Sequence, residues 1–282
     1  MARCPTLFGS SACALFLSCL CGCLGPVSQA NLAWATTLPA ALQAPPATAP
    51  MAPAGVPDAE RIKADPIGFL KECLAIQDAR IHGYSCLLSK QERISGSMQQ
   101  PEEIWVDFRE KPFSVRMAWK RGAGIANSAL YVEGENDDKI VAQPRGLLSI
   151  AGQFERAIDS SDAQRGNRYR IDGFGMKKGM KRTLSAWEAA KARDELNIEY
   201  LGIQRPAECD ERPCHVLRRP RYPRPEEDGI SDLTIWIDAE TRQQVRSVMF
   251  DSRGKLLGSY TFSDIRINPE WPANTFKRAS LK

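Results

Sequence analysis

Cysteine is the residue type with the most chemistry to offer here, and the chain has nine. Five lie within the first 23 residues, and the other four are Cys73, Cys86, Cys209 and Cys214. Cys209 and Cys214 flank the turn-like residues 210–213, so they would bridge a hairpin if its two strands pair in that register, and Cys73 and Cys86 would then join the first predicted helix to the first strand. Free buried thiols are an alternative. A zinc or copper site with His215 is another, but Cys214 and His215 are adjacent and would point to opposite strand faces. The sequence therefore predicts disulfides and no metal.

The sequence contains few residues in patterns typical of a catalytic site. The only histidines are His82 and His215, and neither stands in a nucleophile or metalloprotease pattern. Scattered carboxylates such as Glu92, Asp107 and Asp264 leave a glycosidase-type pair open, because such pairs have no local spacing. We predict no catalytic residue and no cofactor, with a polymer hydrolase as an alternative.

The N-terminus is typical of an export signal. After the basic Arg3, residues 7–24 are apolar or small over a length short for a membrane span. This stretch ends in Leu20-Cys21-Gly22-Cys23, which resembles the bacterial lipobox. We predict a signal peptide over 1–22 and lipidation of Cys23; cleavage by ordinary signal peptidase near residues 28–35 is the alternative. Leu24 follows where aspartate usually retains lipoproteins at the inner membrane, which implies a periplasmic protein anchored to the outer membrane.

The composition then changes twice along the chain. Residues 23–60 are rich in alanine and proline, which predicts an extended tether. Residues 61–282 have the length and mixed composition of a single domain. The formal net charge of +4 gives no argument for a nucleic-acid partner. A lipid anchor at Cys23 would make the membrane a partner through the N-terminus.

The domain is predicted as α+β, a large curled antiparallel sheet. Asp65 and Pro66 predict the start of a helix that ends near Gly83, and residues 183–193 predict a second helix. Period-two patterns between these helices and after them predict about ten strands joined by short turns. The predicted strands are 84–90, 104–109, 114–120, 130–133, 140–143, 196–203, 215–219, 233–237, 245–250 and 256–265. Such a sheet curls instead of staying flat.

These segments resemble a known family. The run Tyr84, Cys86, Lys90, Glu92, together with residues 109–115 and 129–132, is similar to the uncharacterised bacterial domain-of-unknown-function family 1571. Residues 235–238, 260–265 and 268–276 resemble the wider outer-membrane lipoprotein carrier and receptor (LolA/LolB-like) superfamily. That resemblance implies an incomplete β-barrel around a hydrophobic cavity, with a helical insertion as its lid and an acyl chain as ligand.

Large apolar side chains at alternate strand positions are the candidates for lining such a cavity, although the same pattern is typical of a packed core. They are Trp105, Met117, Trp119, Tyr131, Trp236, Met249, Tyr260 and Phe262. The sequence hypothesis is thus a non-enzymatic envelope lipoprotein that binds a hydrophobic or lipid-like ligand. A structural or sensing module that acts through protein contacts is the main alternative.

Overall fold

The computed structural model describes residues 58–164 and 166–282. The predicted signal peptide, the lipidation site at Cys23 and most of the predicted tether lie outside the described residues. Within the described part of the chain, no helix has the length and apolarity needed to cross a membrane.

Two helices precede the sheet. Helix α1 (Asp58–Ala64) includes the last three residues of the predicted tether and buries Ile62 completely. Helix α2 (Pro66–Arg80) begins where the sequence indicated, because the Asp65 side chain accepts a hydrogen bond from the backbone nitrogen of Gly68 at 2.9 Å.

The strands form one antiparallel sheet. They are β1 (Gly83–Ile94), β2 (Ser97–Met98), β3 (Glu102–Arg109), β4 (Ser114–Arg121), β5 (Ala126–Val132), β6 (Lys139–Pro144), β7 (Phe154–Ala157), β8 (Glu199–Gln204), β9 (Cys214–Arg219), β10 (Asp232–Asp238), β11 (Gln244–Phe250) and β12 (Leu256–Ile267). Their order is β7-β6-β5-β4-β3-β1-β12-β11-β10-β9-β8, and β2 pairs only with β1. The sheet is open, with β7 and β8 as its edges, and the predicted curled α+β fold is confirmed. The two strands that the sequence missed, β2 and β7, have two and four residues.

The chain between β7 and β8 contains the short helix α3 (Ser161–Gln164) and the longer α4 (Met176–Lys191). Helix α4 begins seven residues before the predicted position 183. Its first turns hold the basic run 177–182, and its N-cap is Gly175, which has no side-chain cap, so the usual start signal is missing. The second half of α4 packs on α2 through the fully buried Trp187, in one cluster with Leu70 and Cys73.

Candidate ligand cavity

A cavity of about 940 Å³ lies on the concave face of the sheet, the face that carries Leu88, Ile104 and Met117. Its opposite wall is formed mainly by residues 166–183, which we call the covering segment. The covering segment is therefore the loop before α4 and the first half of α4. The volume lies within the range of ~300–1,000 Å³ that is usual for small-molecule sites.

We call the sheet side of the cavity its floor. The middle of the floor is apolar because apolar residues on neighbouring strands lie side by side. Phe262, Leu88, Ile104 and Trp119 form one row across β12, β1, β3 and β4. Met117, Ala129 and Ala142 form the next row across β4, β5 and β6. From the covering segment, Ile171, Phe174 and Met176 complete an apolar enclosure.

Aromatic packing closes one end of this enclosure. Phe108 stacks on Tyr84 with ring centroids 4.7 Å apart and contacts Phe113 edge-on at 5.5 Å. Phe174 of the covering segment lies 6.1 Å from the Phe108 ring. Offset and edge-to-face pairs of this kind add stability beyond the area that they bury, so these rings stabilise this end of the enclosure.

The other end of the floor is polar, and we call Lys90, Glu92, Glu102 and Tyr260 the polar cluster. Tyr260, Lys90 and Glu102 are direct neighbours across β12, β1 and β3. The Lys90 Nζ atom lies 3.2 Å from a Glu92 oxygen and 3.3 Å from a Glu102 oxygen. The Tyr260 hydroxyl donates to Glu92, and the Trp119 indole donates to Glu102 at 2.5 Å. Burial, followed by the neighbouring Glu92 carboxylate, raises the pKa of Tyr260, so its hydroxyl stays a donor.

The covering segment is tied to this polar end. Lys90 donates to the Asn167 side chain at 2.7 Å, and the Arg168 backbone nitrogen donates to Glu92 at 3.4 Å. The Arg168 side chain donates to the Asp228 carbonyl at 2.6 Å. The Tyr169 hydroxyl donates to the Asp228 carboxylate at 2.9 Å. Burial and the Asp228 charge raise the pKa of Tyr169 to about 12.

Glu226 and Asp228 also border the polar end of the cavity. Burial and the Asp228 charge raise the pKa of Glu226 to about 7, against the opposing influence of Arg219. The Arg219 guanidinium lies 3.3 Å from Glu226 and 3.6 Å from the centre of the Tyr222 ring. Arg219 is thus a buried cation that is paired within the protein.

A family model for proteins of unknown function, DUF1571, matches residues 81–282, which is well over half of the chain. The chain belongs to the DUF1571 family. The family resemblance predicted from residues 84–132 is confirmed. No curated protein matches this DUF1571 sequence significantly.

Solved structures with a similar fold share little sequence with this DUF1571 domain. A DUF1329 family protein from Desulfovibrio piger is 11% identical with a TM-score of 0.38, over 78% of this chain and 99% of the other. Lipoprotein LppX of Mycobacterium tuberculosis is 12% identical with a TM-score of 0.40, over 73% and 96%. A LolA superfamily protein from Nitrosomonas europaea is 8% identical with a TM-score of 0.31, over 75% and 99%.

Five of the predicted lining residues border the cavity of this DUF1571 domain, and three lie elsewhere. The five are Met117, Trp119, Met249, Tyr260 and Phe262. Trp105 is 44% exposed on the opposite sheet face, because its neighbours Ile104 and Val106 take the inward positions. Trp236 also points outward and donates to Gln204 at 3.3 Å. Tyr131 is on the concave face but packs against Phe113 beyond the cavity.

The four domain cysteines are buried free thiols in this structure. Cys73 lies in the cluster under α2, whereas Cys86 packs in the aromatic cluster of β1 and β3. Cys209 is in a turn of 3₁₀ helix and Cys214 begins β9, so Cys209 has no opposite strand position from which to bridge a hairpin. Burial raises the pKa of Cys209 to about 11 and that of Cys214 to about 12, which keeps both thiols protonated. Disulfide formation between them stays a prediction.

The other residues that the sequence offered for a metal or catalytic site do not lie together in the structure. His215 sits between the Tyr200 hydroxyl and Arg242, each at 3.0 Å, and burial followed by the Arg242 charge lowers its pKa. Among the described residues, no group of three or more histidine, cysteine or acidic side chains could hold a metal ion. Asp107 pairs with Arg116 at 3.0 Å, and Asp264 is exposed at a distant position on β12.

Only Glu92 of the three scattered carboxylates borders the cavity, and its partners Lys90 and Glu102 were not predicted. The sequence did contain a signal for them. Lys90 and Glu92 continue the alternation of Tyr84, Cys86 and Leu88 on β1, so they occupy inward positions of a core strand. Charged residues at such positions are buried only when they are paired.

Proposed function

We propose that the protein is an exported, lipid-anchored envelope protein that binds the hydrocarbon part of a lipid-like molecule, without catalysis. The observation that supports this proposal is the cavity of about 940 Å³ with two apolar rows on its floor. Burial of a hydrocarbon chain contributes ~0.8 kcal/mol per methylene, before the entropy cost of association. An apolar enclosure of this size between the sheet and the covering segment suits an acyl chain.

The direct test of this proposal is a substitution that fills part of the cavity with a side chain from the sheet. Ala129 lies between Met117 and Ala142 in the second apolar row, so Ala129→Phe places a phenyl ring in the space proposed for the chain. We expect the variant to co-purify with less lipid and to bind the uncharged fluorescent probe N-phenylnaphthylamine at least about tenfold more weakly, equivalent to ~1.4 kcal/mol. Native mass spectrometry with lipid extraction measures the first effect and probe fluorescence the second.

The matched control is Ala118→Phe on the neighbouring strand. Ala118 pairs with the outward-facing Trp105, so the same ring is added on the other side of the sheet. Its lipid content and probe affinity should equal those of the wild type. A wild-type protein that carries no lipid and binds no probe would reject the proposal in favour of a module that acts through protein contacts.

The anchor is the second part of the proposal. Cys23 follows Leu20 and Gly22 in the lipobox-like run, and we expect Cys23→Ser to move the protein from the membrane fraction to the soluble periplasmic fraction. Cys21→Ser changes a thiol two positions away and should leave the fractionation unchanged. If Cys23→Ser stays in the membrane fraction, lipidation of Cys23 is not what anchors the protein.

A further inference from the structure

The polar cluster contains one more carboxylate than cations. Glu92 and Glu102 share the single ammonium group of Lys90, at 3.2 and 3.3 Å. Their other donors are neutral, namely the Tyr260 hydroxyl, the Trp119 indole and the Arg168 backbone nitrogen. The side chains of Lys90, Glu92 and Glu102 are only 8%, 4% and 18% exposed. One negative charge is therefore held largely out of water, where a neighbouring cation is favourable.

The cations nearest to this end have partners of their own. Arg168 lies 3.6 Å from the Asp228 carboxylate, and Arg219 lies 3.3 Å from Glu226. Arg170 pairs with Asp172 at 2.7 Å. Arg182 donates to the Gly173 carbonyl at 2.7 Å and lies over the Tyr169 ring.

Arg156 also borders the cavity but lies on the edge strand β7, over the Phe154 ring at 4.9 Å. The acidic groups Glu226 and Asp228 face the polar end from the loop before β10. Among the described residues at this end, each arginine thus has a carboxylate, carbonyl or ring as its own partner, and the excess of one carboxylate over the ammonium group is confined to the polar cluster.

Polar and apolar surfaces are also separated along the strands. On β1, Leu88 belongs to the apolar row and Lys90, two residues further, belongs to the polar cluster. On β3, Ile104 and Glu102 repeat the same change. A molecule with its chain on the apolar rows would bring its head group to Glu102 and Glu92.

We propose that the cavity selects amphiphiles with a cationic, amine-type head group over amphiphiles with a carboxylate or phosphate head group. This inference rests on the proposed function. An ammonium group would donate charge-assisted hydrogen bonds to Glu102 and Glu92 and would neutralise the excess charge. An anionic head group would add a second unpaired charge at the same place, which is how like charges reject a wrong ligand.

The experiment compares three ligands that have the same chain. Dodecylamine, dodecanol and dodecanoic acid each displace N-phenylnaphthylamine from the purified wild-type domain at neutral pH. We expect the amine to bind most tightly and the acid most weakly, with at least about a tenfold difference between them. The comparison needs no variant, so it remains decisive if substitutions disturb folding.

Glu102→Gln tests whether the polar cluster causes this preference. Glu102 is the most exposed of the three charged side chains in the polar cluster, and the amide oxygen of glutamine still accepts hydrogen bonds. The variant should reduce the preference for the amine over the acid to about threefold or less. Glu103→Gln, the next residue on β3, removes a carboxylate from the outer face, where Glu103 pairs with Arg121, and should keep the wild-type preference.

Equal binding of all three amphiphiles, or tightest binding of the acid, overturns the head-group proposal while the hydrophobic-ligand proposal stands. If none of the three displaces the probe and the protein carries no lipid, the proposed function itself fails, and the head-group proposal fails with it. If Glu102→Gln keeps the full preference for the amine, the polar cluster is not its origin, and the assignment to these residues is overturned.

Discussion

Lys90→Met is expected to lower the free energy of unfolding by about 3–5 kcal/mol, because it leaves Glu92 and Glu102 buried without a cation. The side chains have similar volume, so the loss comes from charge and hydrogen bonding more than from packing. Lys90 also holds Asn167 at 2.7 Å, which links the sheet to the covering segment. Chemical denaturation followed by circular dichroism at pH 7 measures the change.

Lys120→Met is the matched control. Lys120 lies on β4 of the same sheet, but it is 53% exposed, and its nearest carboxylate, on Glu103, is 3.7 Å away. An exposed pair of this kind contributes ~0–1 kcal/mol. If the two variants lose the same stability, the polar cluster is not the buried charge network that the geometry indicates.

Phe108→Ala is expected to cost about 3–5 kcal/mol of unfolding free energy, because Phe108 is 1% exposed and joins the aromatic rings that close the apolar end. The substitution removes the ring that stacks on Tyr84 and leaves a void beside Phe174 of the covering segment. The loss combines the transfer free energy of the ring with the cost of the void. Thermal and chemical denaturation should both report it.

Trp105→Ala, three residues earlier on the same strand, tests the assignment of faces. Trp105 is larger than Phe108 but is 44% exposed on the outer face, with Lys120 5.9 Å from its ring. We expect a loss of about 1 kcal/mol or less, as for most surface substitutions. A larger loss for Trp105→Ala than for Phe108→Ala would mean that the strand faces the other way.

Local sequence was a good guide to the elements. Asp65 and Pro66 predicted the start of α2, since the N-cap and the first helical position have requirements that those residue types meet. Period-two alternation predicted the longer strands, since side chains of a strand alternate between its faces. Alternation failed to orient β3, because Ile104, Trp105 and Val106 are all apolar and either face could have been the buried one.

By itself, then, the sequence determined which segments become the ten longest strands, that these pair antiparallel in a curled open sheet, and which family the chain belongs to. Only the tertiary structure decided that Tyr260 meets Glu92 across 168 positions of the chain, and that Asn167 reaches Lys90 from the covering segment. The physical reason is the distance along the chain over which each effect acts. Propensities, caps and periodicity act within a few residues, whereas the polar cluster depends on the register of β1 against β12 and β3.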